Sequence, residues 1–149
     1  MQLFLTRYYG DANITKSKLT FKVRDRTVLE CEAREAAYRD YSAPFPRHSF
    51  YCLPTGTHRC YITSTANNRF CLCLAGVPGH KGNMIYIDPE RQFHVGAILI
   101  GYALSSIPAK WRKLNGHEAL KEKFAELLEE QLREGEKITI EVRNDIRLT

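Results

Sequence analysis

No stretch of this chain approaches the roughly 20 consecutive apolar residues that a membrane-spanning helix needs. Its opening, MQLFLTRYYG, shows no basic leader followed by a long apolar core. The expectation is a chain with no membrane span and no Sec-type export signal, and so a cytoplasmic location. Lysine and arginine form no extended run, which removes the sequence signature of a basic nucleic-acid-binding arm. No C-x2-4-C zinc knuckle occurs, since Cys52 and Cys60 are spaced C-x7-C and Cys71 and Cys73 are spaced C-x-C. The glycine-rich turn Gly76-Val77-Pro78-Gly79-His80-Lys81-Gly82 lacks the Ser or Thr of a phosphate-binding loop and leads into a strand, not a helix. Nucleotide binding is rejected there. No metal and no cofactor is expected. Five cysteines are an odd number, and with no export signal the default compartment is reducing, so structural disulfides are not expected either.

What is present suits one folded domain spanning residues 1–149. Apolar residues make up 44% of the chain and charged residues 26%, enough for one core under an ordinary solvated surface. The formal charge of +5 attracts polyanions without specifying them. Acidic residues crowd into 118–136, leaving the remainder more basic than the total implies.

Alternation from Gln2 to Tyr8 predicts an opening strand. Lys18 to Val23 and Thr27 to Cys31 predict a tight hairpin with Asp25 at its turn, its polar faces rich in Lys and Arg as on a solvated face or a protected edge. From Glu32 to Leu53 the periodicity fades, and Pro44 and Pro46 break regular structure. The reading there is a loop whose aromatics Tyr38, Tyr41, Phe45, Phe50 and Tyr51 lie against the body. A second hairpin follows, from Thr57 to Ser64 and from Arg69 to Leu74. Its return strand places Cys71 and Cys73 on one face and Leu72 and Leu74 on the other. After a connector over 105–114, Asn115 is a candidate N-cap with Glu118 three residues on. The apolar stripe Leu120, Phe124, Leu127, Leu128 and Leu132 predicts an amphipathic helix that Gly135 ends. A last strand runs from Lys137 to Val142. The fold class is therefore α+β, mainly β: a mixed curved sheet or small barrel with one long C-terminal helix packed across it.

The stretch from Val77 to Gly101 holds two short apolar runs, Met84 to Ile87 and the run beginning Gly96-Ala97-Ile98, around a polar loop carrying Asp88, Glu90, Arg91 and His94. This resembles a family of small uncharacterised bacterial and phage proteins, a domain of unknown function. Its members show an x-Pro-Gly-x-x-Gly turn, then Ile-His-x-Gly-Asn, then Gly-Cys-Ile. A Pro-x-Gly run before a strand hairpin, here Pro54-Thr55-Gly56, extends the likeness. That layout is similar to a compact L,D-transpeptidase site, where His and Cys act on cell-wall peptides. In this chain the His position reads Tyr86, Gly-Asn reads Asp88-Pro89, and the Cys position reads Ala97.

A transpeptidase needs a thiolate for its acyl-enzyme and an imidazole to activate it, and neither a phenol nor a methyl group supplies those. The resemblance thus implies a cleft at Tyr86, Asp88, His94 and Ala97 that has lost its catalytic pair. It implies a non-catalytic binding or structural component, phage or mobile-element encoded, with a peptidoglycan peptide or a protein as partner. Tyr86 is the better placed group, its phenol able to hydrogen-bond whatever fills the His space. His94 stands one residue too early for the His of the second segment and reads as a surface loop residue able to bind a ligand. Two alternatives stay open. One is a cysteine enzyme on cell-wall peptides in which Cys60, Cys71 or Cys73 meets His80 or His94. The other is a basic nucleic-acid-binding accessory module, for which Trp111 between Lys110 and Arg112-Lys113 is the compact sequence sign.

Overall fold

A computed structural model describes residues 1–36, 38, 52–64, 71–76, 84–86, 98–100 and 116–146. Strand β1 (Gln2–Gly10) begins a meander with β2 (Thr15–Val23) and β3 (Arg26–Glu35). Next come β4 (Gly56–Thr63), β5 (Cys71–Ala75), β6 (Met84–Tyr86) and β7 (Ile98–Ile100), then helix α1 (Gly116–Glu134) and strand β8 (Ile138–Asn144). Spatial order is β1-β2-β3-β7-β6-β5-β4-β8, and β8 returns to β1. β8 pairs parallel with β1 and antiparallel with β4, so the ring closes on backbone hydrogen bonds along both of its edges. The long strands form a deep half-barrel. The three-residue β6 and β7 complete it, each of their ladders carrying two residue pairs.

The α+β reading with a mixed curved sheet and one helix holds. At the first hairpin, Arg24 and Asp25 both take positive φ, 51° and 63°. That is the two-residue turn whose twist matches the flanking strands. Of the two readings of the Lys- and Arg-rich faces, the solvated sheet face holds for β2 and the protected edge does not: β2 lies between β1 and β3, and its lysines coat the outer face of an interior strand. The structure corrects the loop beginning at Glu32. β3 continues to Glu35, with Leu29, Cys31, Ala33 and Glu35 buried in alternation. Charged neighbours at 30, 32, 34 and 35 hide that period in the sequence. Of the loop aromatics, Tyr38 does lie on the body: a Cβ on Gly10 would stand 2.5 Å from its Cβ, and Asn144 donates to its hydroxyl at 2.6 Å. Tyr41, Phe45, Phe50 and Tyr51 lie outside the described residues.

An eight-stranded barrel leaves an interior just wide enough for side chains to fill. Leu3, Leu5, Leu19, Phe21, Leu29, Leu72, Leu74, Ile138 and Ile140 fill it. Helix α1 covers the end where β1 starts and β2 finishes, with Phe124 edge-on to Phe21 at 5.9 Å and 82°. Leu120, Phe124, Leu127 and Leu128 are buried as expected, but Leu132 is 57% exposed and Gln131 is buried in its place. Helical geometry explains the exchange. At about 100° per residue, position 131 falls near the centre of the arc set by the other four, and position 132 falls roughly 100° away from it. Gln131 Oε1 accepts from the Met1 amino group at 3.3 Å, which also donates to the Lys137 carbonyl at 3.1 Å. Gly135, at φ 66°, ends the helix in the left-handed region as expected.

The opposite end is polar. Arg7 continues the inward row of Leu3 and Leu5, and Glu35 continues that of Leu29 and Ala33; both are 1% exposed. Their ion pair is bidentate, Nε to Oε1 at 3.0 Å and a guanidinium NH2 to Oε2 at 2.9 Å. The pair also holds Leu53, whose carbonyl accepts from Arg7 at 2.6 Å and whose N–H donates to Glu35 at 2.9 Å. Thr15 closes this end by donating to the Ala36 carbonyl at 2.8 Å.

Removing one member of such a pair strands the other charge away from water. Glu35→Ala should cost about 3–5 kcal/mol in urea unfolding, whereas Arg7→Met with Glu35→Leu should recover part of that loss while leaving the Leu53 backbone groups unpaired. On the helix, Leu128→Ala should cost about 2–5 kcal/mol and Leu132→Glu less than about 0.5 kcal/mol. Equal costs at those two positions would overturn the placement of the helix face.

Candidate functional site

The cleft expected at Tyr86, Asp88, His94 and Ala97 centres on β6 and β7. Their cores, Met84-Ile85-Tyr86 and Ile98-Leu99-Ile100, are continuous apolar runs, as suits strands covered on both faces. Ile98, Leu99 and Ile100 are all fully buried. The two strands are hydrogen-bonded parallel neighbours, with Ile85 opposite Ile98 and Tyr86 opposite Leu99. The backbone of Tyr86 is thereby placed beside the strand that follows Ala97 in the chain. Asp88, His94 and Ala97 lie outside the described residues, as do His80 and Trp111.

Four of the five cysteines lie on strands of the barrel, Cys31 on β3, Cys60 on β4, and Cys71 and Cys73 on β5. Cys31 lies in the core from β3, and Cys60 points inward from β4, paired across to Leu74 and Ile138. Burial, the leading cause, pushes both thiols up to about 12, with the carboxylates of Glu32 and Glu30 adding to it at Cys31. A nucleophilic cysteine needs the reverse, a thiolate favoured by nearby positive charge. Cys73 pairs across to Tyr61; burial raises its thiol, and a hydrogen bond from the Tyr61 hydroxyl opposes that rise. Cys71 and Cys73 occupy the face of β5 opposite Leu72 and Leu74, and both faces are buried. No disulfide joins the five cysteines.

His58 sits between Gly56 and Cys60 on the inward, half-buried row of β4. Its Nε2 is 3.0 Å from the Pro54 carbonyl. A carbonyl only accepts, so Nε2 carries the proton and the ring is tied to its own chain. Among the described residues, no three His, Cys, Asp or Glu side chains converge as a metal site would require.

Sequence reasoning passed over two groups of residues. One is the buried Arg7–Glu35 pair, for which the period-two rows Leu3-Leu5-Arg7 and Leu29-Cys31-Ala33-Glu35 were a usable signal. The other is a set of cations and aromatics on the outer wall. Phe4 has the Lys22 ammonium 5.5 Å and the Arg143 guanidinium 4.7 Å from its ring centroid, and Lys16 lies 5.2 Å from that of Tyr9. Strand alternation allows each residue to be put on the outside, but their meeting depends on cross-strand register.

Compared with protein-family models, with curated proteins and with solved structures, this chain gives no match.

Raised thiol values make a pH prediction whose sign is fixed. The unfolded chain releases these protons near the ordinary thiol value of about 8.5, and the folded chain holds them to higher pH. Their contribution to stability is therefore complete below about pH 8.5 and is lost as pH rises toward 12. The urea midpoint should fall through this window, and it should fall less steeply in a Cys31→Ala, Cys60→Ala variant. Iodoacetamide at neutral pH should leave Cys31 and Cys60 unmodified in the folded protein. Rapid alkylation of either would show that the thiol is accessible and activated.

Proposed function

We propose that this chain is a non-catalytic relative of the L,D-transpeptidase-like proteins, a binding or structural component of a phage or mobile element. The observation that carries the reading is the parallel pairing of β6 with β7. A transpeptidase-like layout needs its two motif segments side by side, so that groups from both face one cleft. Here Tyr86 lies on one of these neighbouring strands and Ala97 directly precedes the other. What each segment contributes at those positions is a phenol and a methyl group, in place of an imidazole and a thiol. A phenol can donate to and accept from a peptide carbonyl or amide, which suits binding. A methyl group cannot attack a carbonyl to form a thioester, so the acyl-transfer step has no nucleophile there.

The core-facing Cys31 and Cys60 support the same reading, because their thiols stay protonated at neutral pH. The cleft then serves to hold a ligand of the peptidoglycan-peptide class or a protein segment presenting similar amides.

The test pairs intact-mass spectrometry with calorimetry on the same sample and a peptidoglycan stem peptide. The expected result is reversible binding, weakened severalfold by Tyr86→Ala, with no mass adduct and no change in the peptide. An acyl adduct on any cysteine, or a cross-linked or trimmed peptide, would establish the cysteine-enzyme alternative and end the non-catalytic reading.

A further inference from the structure

Away from the cleft, the outer wall of four neighbouring strands, β2, β1, β8 and β4, carries a different kind of surface. Alternation sends Leu3, Leu5, Leu19, Phe21, Ile140, Cys60 and their like inward, so the intervening residues face out. Register then assembles them in rows. Lys22, Gln2, Thr139 and Arg59 are successive cross-strand partners, and so are Lys18, Thr6 and Arg143. Lys16 adds a further cation beside Tyr9. The two rows are about 13 Å apart along the strands, four residues at the usual rise.

Charge balance on this wall favours cations. Its carboxylate on β8, Glu141, is held by Arg143 of the same strand at 2.9 Å. Lys18 reaches Glu30 on the flanking β3 at 3.4 Å, both partners being solvated, and such pairs yield readily to competing anions. Lys22 rests against the Phe4 ring, and Lys16 against the Tyr9 ring, where it also draws on the Asp11 carboxylate that accepts from the Tyr9 hydroxyl at 2.6 Å. Among these cations stand large exposed aromatics: Tyr8 is 47% exposed, Tyr9 43% and Tyr61 49%. Exposed tyrosines lose nothing to folding by being there, yet each presents a flat ring at the surface.

We propose that this wall binds single-stranded nucleic acid without sequence preference. Lys16, Lys18, Lys22, Arg59 and Arg143 meet phosphates, and the tyrosines take bases by stacking, the combination that single-strand binding uses. The barrel wall is convex. A rigid duplex touches a convex surface at few phosphates, whereas a flexible strand bends to follow the rows. The aromatics separate this ligand from a featureless polyanion, which offers charge and no π faces to stack.

Fluorescence anisotropy with labelled oligo(dT) and oligo(rU) tests it on the intact chain. The wild type should bind both, and a footprint neutralising three phosphates should weaken affinity roughly twentyfold between about 50 and about 200 mM salt. Lys16→Glu with Lys22→Glu should weaken binding at least about tenfold, and Tyr61→Ala about fivefold or more, each measured well below the thermal midpoint of the variant with far-UV circular dichroism like that of the wild type. Binding that is absent at low salt, or that survives the double charge reversal, would overturn the proposal. So would Tyr61→Ala binding like the wild type while inorganic polyphosphate competes as well as oligo(dT), since the ligand would then be any polyanion.

Discussion

β8 has a hydrogen-bonded neighbour on each side, β1 in parallel and β4 in antiparallel register. Without it, the meander of β1, β2 and β3 and the hairpin of β4 and β5 would each end in an unpaired edge. With it, every inward residue of the long strands faces the same enclosed volume. Chain order makes this closure demanding, because the strand that joins β1 to β4 lies more than 130 positions from β1 and about 80 from β4, pairing Gln2 with Thr139 and His58 with Ile140. Helix α1 comes just before β8 and covers the barrel mouth at which β8 begins, so the two elements are positioned together. Phe124 against Phe21 and Gln131 against Met1 both lie at that mouth.

The two ends of the barrel are finished by different physics. At the helix end, apolar area removed from water is the driving term, and shape sets which helix residues take part. At the other end, a guanidinium and a carboxylate are both taken out of water, which costs more than it returns unless each remaining hydrogen-bonding group is met. Arg7 and Glu35 meet that condition through each other and through both backbone groups of Leu53. The arrangement is specific in a way that an apolar plug is not: it accepts one backbone segment in one position. It therefore fixes where the chain re-enters the barrel before β4.

Inside and outside of the same wall divide the chemistry. Inward groups such as Cys31 and Cys60 are held neutral by burial, which suits packing and works against nucleophilic attack. Outward groups keep their charge and their rings exposed to ligand. The proposed cleft at β6 and β7 and the proposed nucleic-acid wall on β2, β1, β8 and β4 are separate regions of one barrel, so a peptide at one and a strand at the other need not compete. The chain's positive charge then has a location as well as a total.

Local pattern was enough for much of this. Alternation in β1, β2 and β8, the turn at Asp25, the helix with its Gly135 stop and the separation of Cys71 and Cys73 from Leu72 and Leu74 on β5 are all decided within a few residues of sequence, because period and turn chemistry are local properties. Leu132 and Gln131 also obey local geometry, although an apolar side chain at the edge of the stripe outweighed it in the reading. The continuation of β3 through Glu35 was hidden because a buried carboxylate looks like a loop residue until its partner is known. That partner, Arg7, is 28 positions away. Tyr86 could be singled out by its place in a motif, while its neighbour Leu99 across the ladder could not. The same holds for Phe4 with Lys22 and Arg143, and for the rows of cations on the wall. Each of these depends on which strands lie side by side and in what register. The sequence by itself determined where most of the strands and the helix lie and which alternating or stripe residues share a face, since those follow from neighbours along the chain. Only the tertiary structure decided the ring order, the buried ion pair and the composition of the outer wall, because those are set by closure of the barrel across long separations.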